Sequence, residues 1–252
     1  MTLKTVLNAL SLPPQAMVGH RVPKTLLIEN GAPTAADKRH IEGGIEEFRW
    51  VATLKPMTVG IAPHKDDTRD VLELAVLTLR LRPQARVQRL VELVHRAIPY
   101  HSMLIAEPAP ACIHFSLADK RWAQNERDKV VLDGDLIQCE LHALAEPVRD
   151  RFLEALALAN QPRANLYALY RGWIDTILTA QAAEITGEFT PAENGVRAAG
   201  RAKALKACAA LEQQMARLRA AAAREKQAAR QVELNLELRR LRGEYEENRQ
   251  QL

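Results

Sequence analysis

The sequence predicts an α+β head domain with a helical C-terminal region ending in a long coiled-coil helix. Three observations carry that prediction. Short apolar runs separated by turn residues fill the first 145 residues, the pattern of strands. From Pro147 onward the apolar spacing turns helical. After Pro191 no further proline occurs, and Ala, Leu, Gln, Glu, Lys and Arg, the strongest helix formers, dominate.

Taken in order, residues 2–10 read as a short helix stopped by Pro13-Pro14, and residues 21–24 as extended chain. Thr34, with Asp37 three residues on, marks a helix start. Ile41, Ile45, Phe48 and Val51 extend that helix at three- and four-residue spacing to about Trp50. Residues 57–61 and 71–79 read as strands joined by a charged loop. Val87, Leu90, Val91 and Val94 define a helix over residues 86–97, ended by Pro99. Residues 102–106 and 111–117 read as strands. Residues 129–132 and 136–141 flank Asp133-Gly134-Asp135, a hairpin signal. The head, residues 1–145, therefore holds roughly six strands and two or three helices. Residues 147–187 read as a helical hairpin with Leu166, Leu169, Tyr170, Trp173, Ile174, Ile177 and Leu178 on its second arm.

The last segment, residues 190–252, opens with Thr190-Pro191-Ala192-Glu193, an N-cap, a first-turn proline and an acidic third position. A single helix of about 60 residues would reach roughly 90 Å. Nothing else in the chain can pack along that length, so a protein partner or a second copy is expected there. Leu211, Met215, Leu218, Val232 and Leu236 fall in one heptad frame, and Leu241 and Tyr245 in a second, with the seam shifting near Leu234.

Charge is unevenly spread. Residues 196–252 hold 13 Lys and Arg against 7 Glu, a net of +6, and the rest of the chain carries −2. The stripe that includes Arg217, Arg219 and Arg224 suits an acidic protein surface or DNA, or else a solvated helix exterior. Three widely spaced cysteines fit a reduced compartment better than a disulfide framework. The first residues lack the pattern of a signal peptide, and no apolar run approaches the ~20 residues of a membrane span. A cytoplasmic protein with no membrane contact is expected.

Candidate sites are few. Lys120-Arg121-Trp122, with Asn125, Arg127 and Lys129 beyond, groups cations around one aromatic, which fits phosphate contact and base stacking, or snorkelling charges over a half-buried Trp. Glu73, His95 and Tyr100 are candidate pocket residues. His95 and Arg96 also complement a helix C-terminus on purely structural grounds. Cys112-x-His114 and Cys139-x-x-His142 offer zinc-ligand types, but Cys-x-x-Cys knuckles are absent, so no metal and no cofactor is expected. The chain has no Gly-rich phosphate loop and no Gly-x-Ser-x-Gly elbow. The carboxylates near strands lack the following Lys of a metal nuclease, so no catalytic residue is assigned.

His95-Arg96-Ala97-Ile98-Pro99-Tyr100, the strand after it, and Phe115-Ser116-Leu117-Ala118-Asp119-Lys120-Arg121 together resemble a bacterial domain-of-unknown-function family, number 4391. Val22-Pro23-Lys24 and Asp37-Lys38-Arg39 belong to the same resemblance, which covers roughly residues 5–250. The commoner form has Pro after the Tyr and His before Lys-Arg; here His101 and Asp119 stand there. The resemblance carries no established activity. It implies companions of DNA methyltransferases and helicases in bacterial defence or restriction-type systems. The expected function is thus a non-enzymatic accessory or adaptor protein. A divergent nuclease built on Glu73, His95, Lys120 and Arg121, or direct DNA binding through the basic tail, are the alternatives.

Overall fold

The structure is a computed structural model that describes residues 1–109, 112–123 and 129–252. The chain forms two compact units, Met1–Ile177 and Leu178–Leu252. In order, the first unit holds α1 (Leu3–Ala9), β1 (Met17–Arg21), α2 (Lys24–Gly31), α3 (Ala35–Gly44), β2 (Ile45–Leu54), α4 (Pro56–Val59), β3 (His64–Lys65), β4 (Asp70–Val71) and β5 (Leu74–Leu81). It continues with α5 (Val87–Ala97), β6 (His101–Glu107), β7 (His114–Leu117), β8 (Lys120–Trp122), β9 (Val130–Leu132), β10 (Ile137–Glu140) and α6 (Glu146–Ala155). Helix α7 (Leu166–Thr186) follows, then α8 (Gly195–Arg224) and α9 (Ala228–Arg249). No described helix is long and apolar enough to cross a membrane.

A six-stranded mixed sheet runs in the order β1-β2-β5-β6-β7-β10, with β5 and β6 parallel and the other neighbours antiparallel. Helix α5 makes the crossover that a parallel pair requires. Its Leu90, Val91 and Val94 pack with Leu27 of α2, Ile41 of α3, and Phe48, Leu77, Leu79 and Leu104 of the sheet. On the opposite face Phe152 of α6 meets Phe115 of β7 edge-on at 5.2 Å. Tyr170 and Trp173 of α7 are fully buried, and the Trp173 indole donates to the Leu156 carbonyl at 3.0 Å. Both faces of the central strands are covered, which is why Leu74–Leu81 reads as a near-continuous apolar run.

Several local expectations change. Ile45–Leu54 is a strand, not the end of a helix. The register of β2 against β5 slips between Ile45 and Glu47 and again between Trp50 and Ala52. The first slip puts Ile45 and Phe48 three apart in one core cluster, while Val51 is buried on the other face beside Glu47 and Arg49, and the three buried residues three apart imitate a helix. Residues 57–61, expected as a strand, begin inside the one-turn helix α4, which starts at Pro56 and ends where Gly60 adopts φ +65°. Lys24, expected at the end of an extended stretch, opens helix α2, which runs to Gly31. The strands beside Asp133-Gly134-Asp135 do not pair with each other: β9 pairs with β8, and β10 with β7. Thr34 does cap α3, accepting from the Asp37 amide at 3.1 Å.

In the second unit the long helix is two helices. The first starts not at Thr190 but after Asn194, whose side chain accepts from the Arg197 amide at 3.0 Å. It stops at Arg224, where the Glu225 carboxylate accepts from the Lys226 and Gln227 amides at 2.7 and 2.9 Å. The chain then reverses, and Leu211 and Met215 of α8 pack against Leu238 and Leu241 of α9, flanked by Leu218 and Tyr245. The two heptad frames are therefore two sides of one intramolecular seam. The hairpin buries Leu211 and Met215 of the first frame with Leu238 and Leu241 of the second, which a straight helix alone would leave exposed. Val232 and Leu236 of the first frame lie outside the seam, 58 % and 61 % exposed. Arg201, part of the basic stripe in sequence, is buried and donates to Thr179 Oγ1, the Thr190 carbonyl and the Leu252 carbonyl at 2.7, 2.7 and 3.0 Å.

Candidate functional site

Strand β7 ends at Leu117, and the turn residues Ala118 and Asp119 lead straight into β8, so Asp119 and Lys120 project in different directions from one short segment. Lys120 turns inward and is 1 % exposed. Its ammonium donates to the Ile98 carbonyl at 2.5 Å and the Tyr100 carbonyl at 2.6 Å, acceptors just past the end of α5. Burial pushes its pKa down to about 7. The two carbonyls work against that by favouring the charged form.

Lys120 and His95 both line a pocket of about 520 Å³. Its other walls come from residues 29–33 at the end of α2, from Arg96 and Ile98, and from residues 129–132 in and before β9. Gly31 is required there by close approach: a Cβ on it would lie 2.6 Å from the Leu93 carbonyl oxygen. His95 is buried on the last turn of α5, with Nε2 paired to Ser116 Oγ at 3.0 Å and no partner on Nδ1. Burial, with the nearby Lys120 cation adding to it, holds His95 well below its usual pKa, so it is neutral. The pocket thus offers a neutral imidazole and an amine that exchanges its proton near neutrality. Among the described residues Glu29 is the one carboxylate lining it.

On the other side of the same turn, Asp119 is a hub. Its Oδ1 accepts from His101 Nε2 at 3.0 Å and from the Lys120 amide at 2.9 Å, and its Oδ2 accepts from the Tyr167 hydroxyl at 2.7 Å. Arg171 approaches Oδ2 to 3.6 Å, and Arg69 approaches Oδ1 to 3.9 Å. Burial raises the Asp119 pKa, but the hydrogen bonds from His101 and Tyr167 outweigh it and the net shift is downward. Burial lowers His101, against the pull of Asp119. The Arg69 guanidinium sits 4.9 Å over the Tyr167 ring, donates to Asp133 at 2.8 Å, and Tyr167 stacks on His64 at 5.2 Å. Sequence reasoning missed this hub because Arg69, His101, Asp119 and Tyr167 come from distant parts of the chain. The one signal was that His101 and Asp119 both depart from the pattern the sequence resembles.

The other expected residues scatter. Arg121 pairs with Asp133 at 3.3 Å, and Trp122 is 37 % exposed. With Lys120 inward, the three do not form one exposed cationic and aromatic patch; Asn125 and Arg127 lie outside the described residues. Glu73 pairs with Lys55 at 3.0 Å and does not line the pocket with His95. Tyr100 is exposed, edge-on to Trp50 at 5.8 Å, and meets Lys120 through its carbonyl alone. Arg217, Arg219 and Arg224 are exposed on α8.

A family model described as a domain of unknown function, DUF4391, matches residues 10–244. No curated protein and no solved structure matches the chain.

Proposed function

The chain belongs to the DUF4391 family, and from that premise we propose that it is an accessory protein that docks onto a DNA-acting enzyme, such as a methyltransferase or helicase of a bacterial defence or restriction-type system. The observation that carries this reading is the turn end of the α8–α9 hairpin. Tyr245 to Glu212 at 3.0 Å and Gln231 to the Ala222 carbonyl at 3.3 Å set the register of the two helices. That register brings Val232 and Leu236 to the same end as Arg217, Arg219, Arg224 and Lys226. The two apolar side chains are more than half exposed. The cations are exposed too, and no ion pair engages them among the described residues. An apolar pair one turn apart beside uncompensated cations suits an acidic protein face with an apolar centre.

Affinity purification of the full-length chain from its native cells is expected to retain a DNA methyltransferase or helicase, and the Val232→Asp, Leu236→Asp double variant to lose it. Retention of no such enzyme, or retention unchanged in the variant, overturns the proposal. A second reading, direct contact with DNA, rests on the same cations. It predicts that duplex DNA binds the isolated protein with an affinity that falls steeply with salt. The scatter of Glu73 and Arg121 away from His95 and Lys120 weighs against a nuclease centre.

A further inference from the structure

We propose that Cys112, Glu140 and His142 form a binding site for a divalent transition-metal ion of the zinc class at the open edge of the main sheet. Strands β7 and β10 pair antiparallel, with His114 directly opposite Glu140. The ladder continues beyond the strand ends, because the Leu141 amide donates to the Ile113 carbonyl at 2.8 Å. His142 follows in a one-turn 3-10 helix, Leu141–Ala143, that closes the end of β10. His114 and Glu140 stand opposite each other on the ladder, and the turn brings the His142 ring against Cys112, two residues before His114.

The donor atoms converge at this turn. Cys112 Sγ, a Glu140 carboxylate oxygen and a His142 ring nitrogen all lie within 4.8 Å of one another. Metal–ligand bonds of about 2.0–2.3 Å set tetrahedral donor atoms roughly 3.3–3.6 Å apart, so the set needs only small adjustments to close on an ion. Cys112 Sγ and His142 Nδ1 are 2.7 Å apart, and His142, at 61 % side-chain exposure, can swing outward to open that gap. His142 Nε2 lies 3.4 Å from Glu140 Oε2. A second observation supports the site. His114 is 4 % exposed, its Nδ1 lies 3.7 Å from Glu140 Oε1, and its Nε2 has no hydrogen-bond partner. A buried imidazole behind a carboxylate is the arrangement that orients a ligating side chain.

The chemistry of the donors selects the ion. One thiolate, one imidazole and one carboxylate are a mixed soft and borderline set that favours zinc over magnesium or calcium. Three protein ligands leave one tetrahedral position for water or an exogenous donor. A cysteine binds the ion as its thiolate, so binding releases a proton and weakens as pH falls.

The test titrates Co²⁺ and then Zn²⁺ into the reduced full-length protein. One equivalent of Co²⁺ is expected to give a thiolate-to-metal charge-transfer band that Zn²⁺ displaces. Cys112→Ser is expected to abolish the band. His142→Ala, at an exposed position where folding is not at stake, is expected to weaken Zn²⁺ binding by more than about tenfold, since losing a ligand costs more than losing an outer partner. Failure to bind one equivalent, or a band that persists in Cys112→Ser because Cys139 or Cys208 carries it, overturns the site. So does unchanged Zn²⁺ affinity in His142→Ala.

Discussion

The Lys120 ammonium donates to the backbone carbonyl of Tyr100 at 2.6 Å, which ties the first residue of β8 to the turn between α5 and β6. The same ammonium also donates to the Ile98 carbonyl at 2.5 Å, so one side chain bridges two carbonyls of that turn. The wall of the pocket is therefore held by a buried cation whose own protonation depends on burial.

Replacing Lys120 by Met keeps the volume and leaves both carbonyls without their donor. Destabilisation of about 2 kcal/mol is expected at pH 9, within the range for orphaned buried polar groups. The pH dependence has a definite sign. The folded pKa is about 7 against 10.5 unfolded, so between those values the unfolded chain binds more protons and wild-type stability rises with pH. The slope from this one group approaches about 1.4 kcal/mol per pH unit. Urea unfolding at pH 7, 8 and 9 checks it: the gap between wild type and variant should widen as pH rises. A gap that narrows would show that Lys120 is not the titrating group.

Asp119→Asn removes the charge that His101, Tyr167 and Arg171 share while preserving shape. A loss of about 1–3 kcal/mol is expected near neutral pH. The folded-state pKa of Asp119 lies below 3.8, so its contribution is present above that value and disappears as pH falls through the folded pKa. Wild type and variant should accordingly converge in acid. Equal differences at pH 3 and pH 7 would assign the effect to packing alone.

Gly31→Ala tests the close approach of α2 to α5. The new methyl would stand 2.6 Å from the Leu93 carbonyl oxygen and 2.8 Å from Ala97 Cβ, so one helix has to move. Destabilisation of about 1–3 kcal/mol follows from overpacking. Gly43→Ala, with open space around the added Cβ, is the control and should be neutral or slightly stabilising. Thermal unfolding of both variants separates a steric effect from a general intolerance of alanine.

What the sequence made legible follows from where the signal is local. Thr34 as a cap, Pro99 after α5, and the apolar spacing of Val87, Leu90, Val91 and Val94 are short-range features, and each predicted its element. The first bulge of β2, with Val51 buried on the opposite face, defeats periodicity because buried residues then recur three apart in a strand covered on both faces. The Asp119 hub was not legible because its members are spread from Arg69 to Arg171 and each reads alone as a surface residue. The Cys112, Glu140 and His142 cluster was passed over for a related reason. Knuckle spacing lies within one segment, whereas here the donors come from the entry to β7 and from the end of β10 with the 3-10 turn after it.

The hairpin of α8 and α9 makes the sharpest prediction about assembly. Leu238 and Leu241 are 6 % and 3 % exposed inside the seam, whereas Val232 is 58 % exposed. Leu241→Ala is expected to lower the stability of the second unit by about 2–4 kcal/mol, and Val232→Ala to change it by less than about 0.5 kcal/mol. Because the seam closes within one chain, the unfolding midpoint should not depend on protein concentration; a seam shared between two chains would make it rise with concentration by mass action. Scanning the midpoint over a hundredfold concentration range in wild type and in Leu241→Ala distinguishes the two arrangements. A concentration-dependent midpoint that Leu241→Ala abolishes would mean that the apolar seam binds a second copy. In that case Val232 and Leu236 would no longer be the surface left over for a partner.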